Sequence, residues 1–296
     1  MKYLSLAWFL VAMFPLASAL AEPPRGAQKD EPRLAPPPAA RQADPGLEAR
    51  VWPEIGIVLP IDWEKLVTQL TAAGVLDREK FAGFYRKGGK LDAQAASLLD
   101  GTDNGSRSMT RDNASLLLNL LWAFGLGNKS EILEQGDMQA PRFGGAGRFA
   151  STGGWTLARG DAMEHFSRHR FVYLDAEQTR RVARVAAGIY RPCCGNPTLF
   201  PDCNHGMAML GLLELLAARD FAESEMYRIA LAVSSYWFPD AYLTIARYVE
   251  SKQGLGWEQV VPVKILGAEY SSASGYRRIV SEMTPVSGQS GTGCAI

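Results

Sequence analysis

Three of the chain's four cysteines fall within eleven residues, and a histidine follows two residues behind the last of them. The segment reads Tyr190-Arg-Pro-Cys193-Cys194-Gly-Asn-Pro-Thr-Leu-Phe-Pro-Asp202-Cys203-Asn204-His205. It constrains the surrounding fold more than any other stretch. Pro192 cannot continue the helix that carries Ile189, because it has no N–H and its ring clashes with the turn before it. Gly195, Pro197 and Pro201 then turn the chain back. The apolar run from Met207 to Leu216 opens a second helix. Two helices thus meet at a loop that can carry Cys203 and His205 towards Cys193 and Cys194.

The rest of the chain also follows a helical pattern. Asp62 is placed to cap a helix with Leu66 and Leu70 that ends at Gly74, and Asp77 a second with Phe81, Phe84 and Tyr85. Asn113 opens a run from Leu116 to Phe124 closed by Gly125, and Ser130 a short helix ended by Gly136. Asp175 with Gln178 forms a capping box ahead of the stripe Val182, Val185 and Ile189. Further helices are expected at about 205–219, 221–237 and 239–253, the last with Pro239 in its first turn and Gly254 behind it. Arg142 to Gly160 reads as a Gly-rich loop, and Val260 to Leu266 as a short strand. The fold class is therefore mainly α, a multi-helix globular domain over residues 51–283. A Pro-rich linker precedes it over residues 22–50, with structure starting near Val51, and a flexible tail with Cys294 follows over residues 284–296.

The first 21 residues have the form of a secretory signal peptide. Lys2 supplies the positive charge, Leu4 to Leu16 the short apolar run, and Ala17-Ser-Ala19-Leu-Ala21 the small residues at which cleavage occurs, after Ala21 or Ala19. The apolar run is shorter than the roughly 20 residues a spanning helix needs, and the later stretch Met207 to Ala218 is both short and interrupted by Glu214. The expected mature protein has no transmembrane segment and is periplasmic or secreted. Basic and acidic side chains balance at 31 each. That balance removes the electrostatic reason to expect nucleic acid as a partner.

Export changes how the cysteines are weighed, because the compartment is oxidising. Three readings follow. In the first, Cys193, Cys194, Cys203 and His205 supply three sulfurs and one ring nitrogen to a soft or borderline metal ion, copper or zinc. Met207 and Met209 would add thioethers that suit monovalent copper, although apolar packing in the helix is the better account of them. In the second, the cysteines are redox-active. Asp202 or Asn204 caps the following helix, the helix N-terminus favours a Cys203 thiolate, and Cys294 on its tail joins Cys193, Cys194 and Cys203 in thiol–disulfide chemistry. In the third, one of the adjacent pair is bonded to Cys203 as a structural disulfide. The protein is then a non-enzymatic cell-envelope interaction module with a protein partner. A staple uses two cysteines and leaves the third and His205 without a role.

Other signals are weaker. His165 and His169, four apart, share one face if their segment is helical, but Phe166 occupies the place where a zinc protease carries its acid. Gly145-Ala-Gly147-Arg-Phe-Ala150 matches a dinucleotide-loop pattern without the strand that must precede it. Arg180, Arg181 and Arg184 read as the solvated face of an amphipathic helix. No G-x-S-x-G nucleophile elbow occurs.

Overall fold

The computed structural model of the chain describes residues 44–87, 93–99 and 107–283. Over these residues the protein is mainly α-helical with one small two-stranded sheet. The centre is a pair of helices, α5 (Ala114–Gly127) and α8 (Asn204–Ala217), each buried along nearly its whole length. A helix apolar on all sides belongs in the interior of a domain. The two cross where glycine faces glycine. A Cβ on Gly125 would lie 2.2 Å from the Met207 carbonyl oxygen, and one on Gly211 would lie 2.6 Å from that of Leu121.

Amphipathic helices surround the pair. Helix α2 (Trp63–Ala73) packs on α5, and α7 (Ala176–Ala187) packs on α8 with Val182 and Val185 buried. Helix α9 (Glu223–Trp237) touches α5, α7 and α8, and α10 (Pro239–Gln253) lies against it. Helices α11 (Pro262–Leu266), α12 (Ala268–Ser271) and α13 (Ala273–Met283) close the far side. The described residues also form the helices α3 (Arg78–Lys87), α4 (Ala93–Leu99) and α6 (Glu131–Gln135).

Local chemistry accounts for many of the helix ends. The Asp62 carboxylate accepts from the Lys65 N–H, and Gly74 closes α2 in the left-handed region. Asp77 accepts from Lys80 N–H ahead of α3. The Asp175 carboxylate accepts from Glu177 and Gln178 N–H while the Gln178 side chain accepts from Asp175 N–H, the reciprocal capping box. Pro239 starts α10, and Gly254, with a φ of +66°, ends it. Arg180 and Arg184 pair with Glu177 at the surface, as a solvated face requires.

Several elements depart from the sequence pattern, each for a tertiary reason. A helix, α1 (Pro45–Val51), occupies the end of the segment read as linker. Asp44 caps it, Pro45 sits in its first turn, and Leu47 and Val51 are buried. The strand expected at Val260 to Leu266 is instead the helix α11, started by Pro262. A lone strand there would leave its backbone groups without partners. Gly125 does not end α5, which runs on to Gly127, because Gly125 serves the helix crossing. The Gly-rich stretch 142–160 is not a featureless loop. It opens with 3-10 turns at Pro141–Phe143 and Ala146–Arg148, neither of them the strand–helix setting of a dinucleotide loop. The sheet pairs β1 (Ile57–Val58) with β2 (Ser108–Met109) in antiparallel register. No helix among the described residues is long and apolar enough to cross a membrane. The signal-like residues 1–21, most of the linker, and the tail with Cys294 lie outside the described residues.

Candidate metal centre

The loop between α7 and α8 folds back on the helix it leaves. Beyond Gly188, which caps α7, Thr198 N–H donates to Ile189 O and Leu199 N–H to Ala186 O. The cysteine pair is fixed by a turn, Cys194 N–H to Arg191 O, and by Ala273 N–H donating to Cys194 O from the start of α13. Ser151 N–H donates to Asp202 O and ties the other end of the loop to the Gly-rich segment. The loop is thus anchored by backbone bonds to three separate parts of the fold.

Cys203, and neither Asp202 nor Asn204, is the N-cap of α8. Its backbone is extended and its sulfur accepts from Gly206 N–H at 3.3 Å. Cys193 Sγ lies 3.2 Å from Cys194 Sγ and 3.9 Å from Cys203 Sγ. All three thiols are free, with no pair at bonding distance. The donor atoms of Cys193, Cys203 and His205 lie within 4.8 Å of one another, as do those of Cys194, Asp202 and Cys203. Two sulfurs each about 2.3 Å from a tetrahedral zinc are about 3.8 Å apart. The 3.9 Å separation of Cys193 and Cys203 therefore already fits a shared ion. This cluster could hold a metal ion.

The charge beside it comes from Arg191, whose side chain is 1% exposed. Its guanidinium donates to Asp202 Oδ1 at 2.8 Å, to Asn196 O at 2.7 Å and to Cys203 Sγ at 3.6 Å. Asn196 also donates to the second Asp202 oxygen. Gly206 makes room for this arginine, since a Cβ there would sit 2.9 Å from Arg191 Nη2. Hydrogen bonds from Cys193 and Cys194, with the Arg191 charge and a bond from His205, hold the Cys203 thiol well below the ordinary thiol range despite its burial. Cys193 is pushed up, since it donates to the other two sulfurs and a second negative charge would stand beside the first. Cys194 is pushed up to about 12. Its bond with Cys193 opposes this, but its bond with Cys203 and its burial outweigh that effect. Burial first, and then the Cys203 charge, raise the Asp202 carboxyl against the pull of Arg191 and Asn196. Burial works against the Arg191 charge, but Cys203, Cys194 and Asp202 more than restore it.

The ring of His205 rests on Phe238, with centroids 4.3 Å apart, and meets Trp237 edge-on. His205 and Asn204 also line a cavity of about 810 Å³, walled by Phe84, Tyr85, Trp122 and Trp155. Met207 and Met209 are fully buried in α8, so they serve packing.

His165 and His169 do come together, but not through the helical spacing. The 3-10 turn ends at Glu164 and Ser167 has a φ of +51°. His165 Nδ1 lies 3.1 Å from His169 Nε2, and His165 Nε2 lies 2.8 Å from Arg159 O. A carbonyl only accepts, so Nε2 of His165 carries a proton. Both nitrogens of His165 are spent on the protein, and the pair does not join the cysteine cluster in a donor group. Arg191 was not legible as part of the site. Its only sequence signal is its place directly before Pro192-Cys193. Comparison with known proteins gave no match to a family model, to a curated protein or to a solved structure.

Proposed function

We propose that this chain is an exported protein, periplasmic or secreted, that binds a soft metal ion through Cys193, Cys194, Cys203 and His205. The reading is carried by one observation, the convergence of the Cys193, Cys203 and His205 donors within 4.8 Å. The signal-like N-terminus, Lys2 followed by Leu4 to Leu16 and Ala17 to Ala21, supports export. Of the two metals the donor set suits, zinc fits the surrounding charge better than copper. A divalent ion with three thiolates and a neutral imidazole carries one net negative charge, which stands beside the mutually neutralising Arg191–Asp202 pair. Monovalent copper with the same ligands would carry two negative charges in place of one, and the two methionines that would favour it are packed in the core.

The test is anaerobic purification followed by elemental analysis and thiol counting on wild type, Cys203→Ser and His205→Ala. One zinc per chain, lost in both variants, is the expected result. A wild type without metal but with rapidly reacting thiols would transfer the site to thiol–disulfide chemistry, a second reading favoured by the 3.2 Å approach of the Cys193 and Cys194 sulfurs and the lowered Cys203 thiol. Neither metal nor reactive thiol would leave only the structural disulfide of an envelope interaction module.

A further inference from the structure

The cavity beside His205 has the size and lining of a small-molecule site. At about 810 Å³ it falls in the range of roughly 300–1,000 Å³ typical of ligand pockets. The polar groups of its aromatic wall are already used inside the protein. Tyr85 OH donates to Ser115 O and accepts from the Asn119 amide. Trp122 Nε1 donates to Ser151 O, and Trp155 Nε1 to Val75 O. Trp122 and Trp155 pack edge to face at 4.8 Å in this wall, and Lys87, Thr156 and Asn204 add polar groups to the lining. Phe84, 56% exposed, stands among these residues and is costly to leave in water.

At the cluster side of this cavity stands His205. Its metal-facing ring nitrogen lies within 4.8 Å of the Cys193 and Cys203 sulfurs. Among the described residues no oxygen or nitrogen acceptor is paired with the His205 ring, and the residue's backbone N–H goes to the Asn204 side chain. Metal-ligating histidines almost always donate their second N–H to a carboxylate, a carbonyl or water, which fixes the ring and raises its basicity. Among the described residues no such partner is paired with it, and His205 lines the cavity instead.

We infer that the cavity binds a flat aromatic molecule bearing one hydrogen-bond acceptor, a carboxylate or carbonyl, that receives the His205 N–H while its rings stack in the aromatic wall. The inference rests on the metal reading for one of its consequences, that ligand and metal strengthen each other through the shared imidazole. By reciprocity each raises the affinity of the other by the same factor.

The probe is 2-naphthoate, with naphthalene as the analogue lacking the acceptor, followed by quenching of tryptophan fluorescence in the full chain with and without zinc. Saturable binding at one per chain is expected, with naphthalene weaker by about tenfold, the loss of a charge-assisted hydrogen bond. Zinc affinity from chelator competition should rise about fivefold or more when 2-naphthoate is present. Ser115→Trp places a ring in the cavity from an exposed wall position away from the cysteines. It should abolish naphthoate binding and leave zinc stoichiometry at the wild-type value. No saturable binding to the zinc-loaded wild type, or equal binding to Ser115→Trp, would overturn the site. Unchanged zinc affinity would overturn the coupling. Zinc stoichiometry measured without naphthoate reports on the metal reading separately. If it is zero while naphthoate binds wild type and not Ser115→Trp, the metal reading fails and the cavity stands as a site.

Discussion

Gly211→Ala sets two physical effects against each other at the centre of the fold. Alanine is the better helix former by about 1 kcal/mol, so on propensity alone the substitution stabilises. The contact says the opposite. The new Cβ would sit 2.6 Å from Leu121 O and 2.9 Å from Gly125 N, both backbone atoms that cannot rotate away. To restore an ordinary 3.4 Å contact, α5 and α8 must separate by about 0.8 Å. The two helices are buried along nearly their full lengths, so separation loosens packing well beyond the site of substitution. Overpacking of this kind costs about 3 kcal/mol at the upper end of its usual range. The net effect is a loss of about 2 kcal/mol, which for a domain of this size lowers Tm by about 4–8 °C. Thermal unfolding by circular dichroism measures it. Gly83→Ala is the internal control, since Gly83 lies in α3 with nothing within 4 Å of its Cβ position. It should gain the propensity term and raise Tm by about 2–4 °C. If both substitutions raise Tm equally, the close crossing of α5 and α8 is not what fixes the core.

Other perturbations address the site and its surroundings. Arg191→Leu leaves the half-buried Asp202 carboxylate without its cation, and should cost about 3 kcal/mol, the low end for breaking a buried pair, in urea unfolding. A loss below about 1 kcal/mol would mean the ion pair is incidental. Glu214 is fully buried in α8, accepts from the Asn128 amide at 2.8 Å, and has its carboxyl pushed up by burial from 4.5 to about 7. Its native form holds the proton where the unfolded form has lost it. The protein is therefore free of this penalty below pH 4.5 and loses stability as pH rises through about 7, by about 3 kcal/mol in all. Glu214→Gln should flatten that decline between pH 5 and 8 by roughly this amount, and an unchanged pH profile of unfolding would refute it.

What the sequence made legible and what it hid divide along one physical line. Helix ends set by neighbours three or four residues away, Asp62 with Lys65 or Asp175 with Gln178, follow from local hydrogen bonding alone. Elements set by distant packing do not. Pro262 can start a helix or stand in an extended segment, and what decides is whether a partner strand exists. The β1–β2 pair has two residues in each strand, too few for any period to show. Gly125 looks like a helix end until the partner helix is known, and then it is the point of closest approach.

The candidate site obeys the same division. Cys193, Cys194, Cys203 and His205 were visible together because the loop that joins them is short and its prolines and glycine force it to return. The residue that sets their electrostatics was not visible. An arginine before a proline is ordinarily a solvated side chain, and nothing in its neighbours says that this one is buried. Its burial needs Asp202 and the Asn196 carbonyl to receive its N–H groups, and it needs Gly206 one turn into α8 to leave space. Those conditions hold only once the loop has closed, so the charge is a product of the same fold that gathers the sulfurs. The closure and the charge then support each other. Without Arg191 the half-buried Asp202 and the Cys203 thiolate would repel, and without the loop Arg191 would lose its acceptors. A site assembled in this way holds its donors close together before any ion arrives, which reduces the ordering cost of binding one.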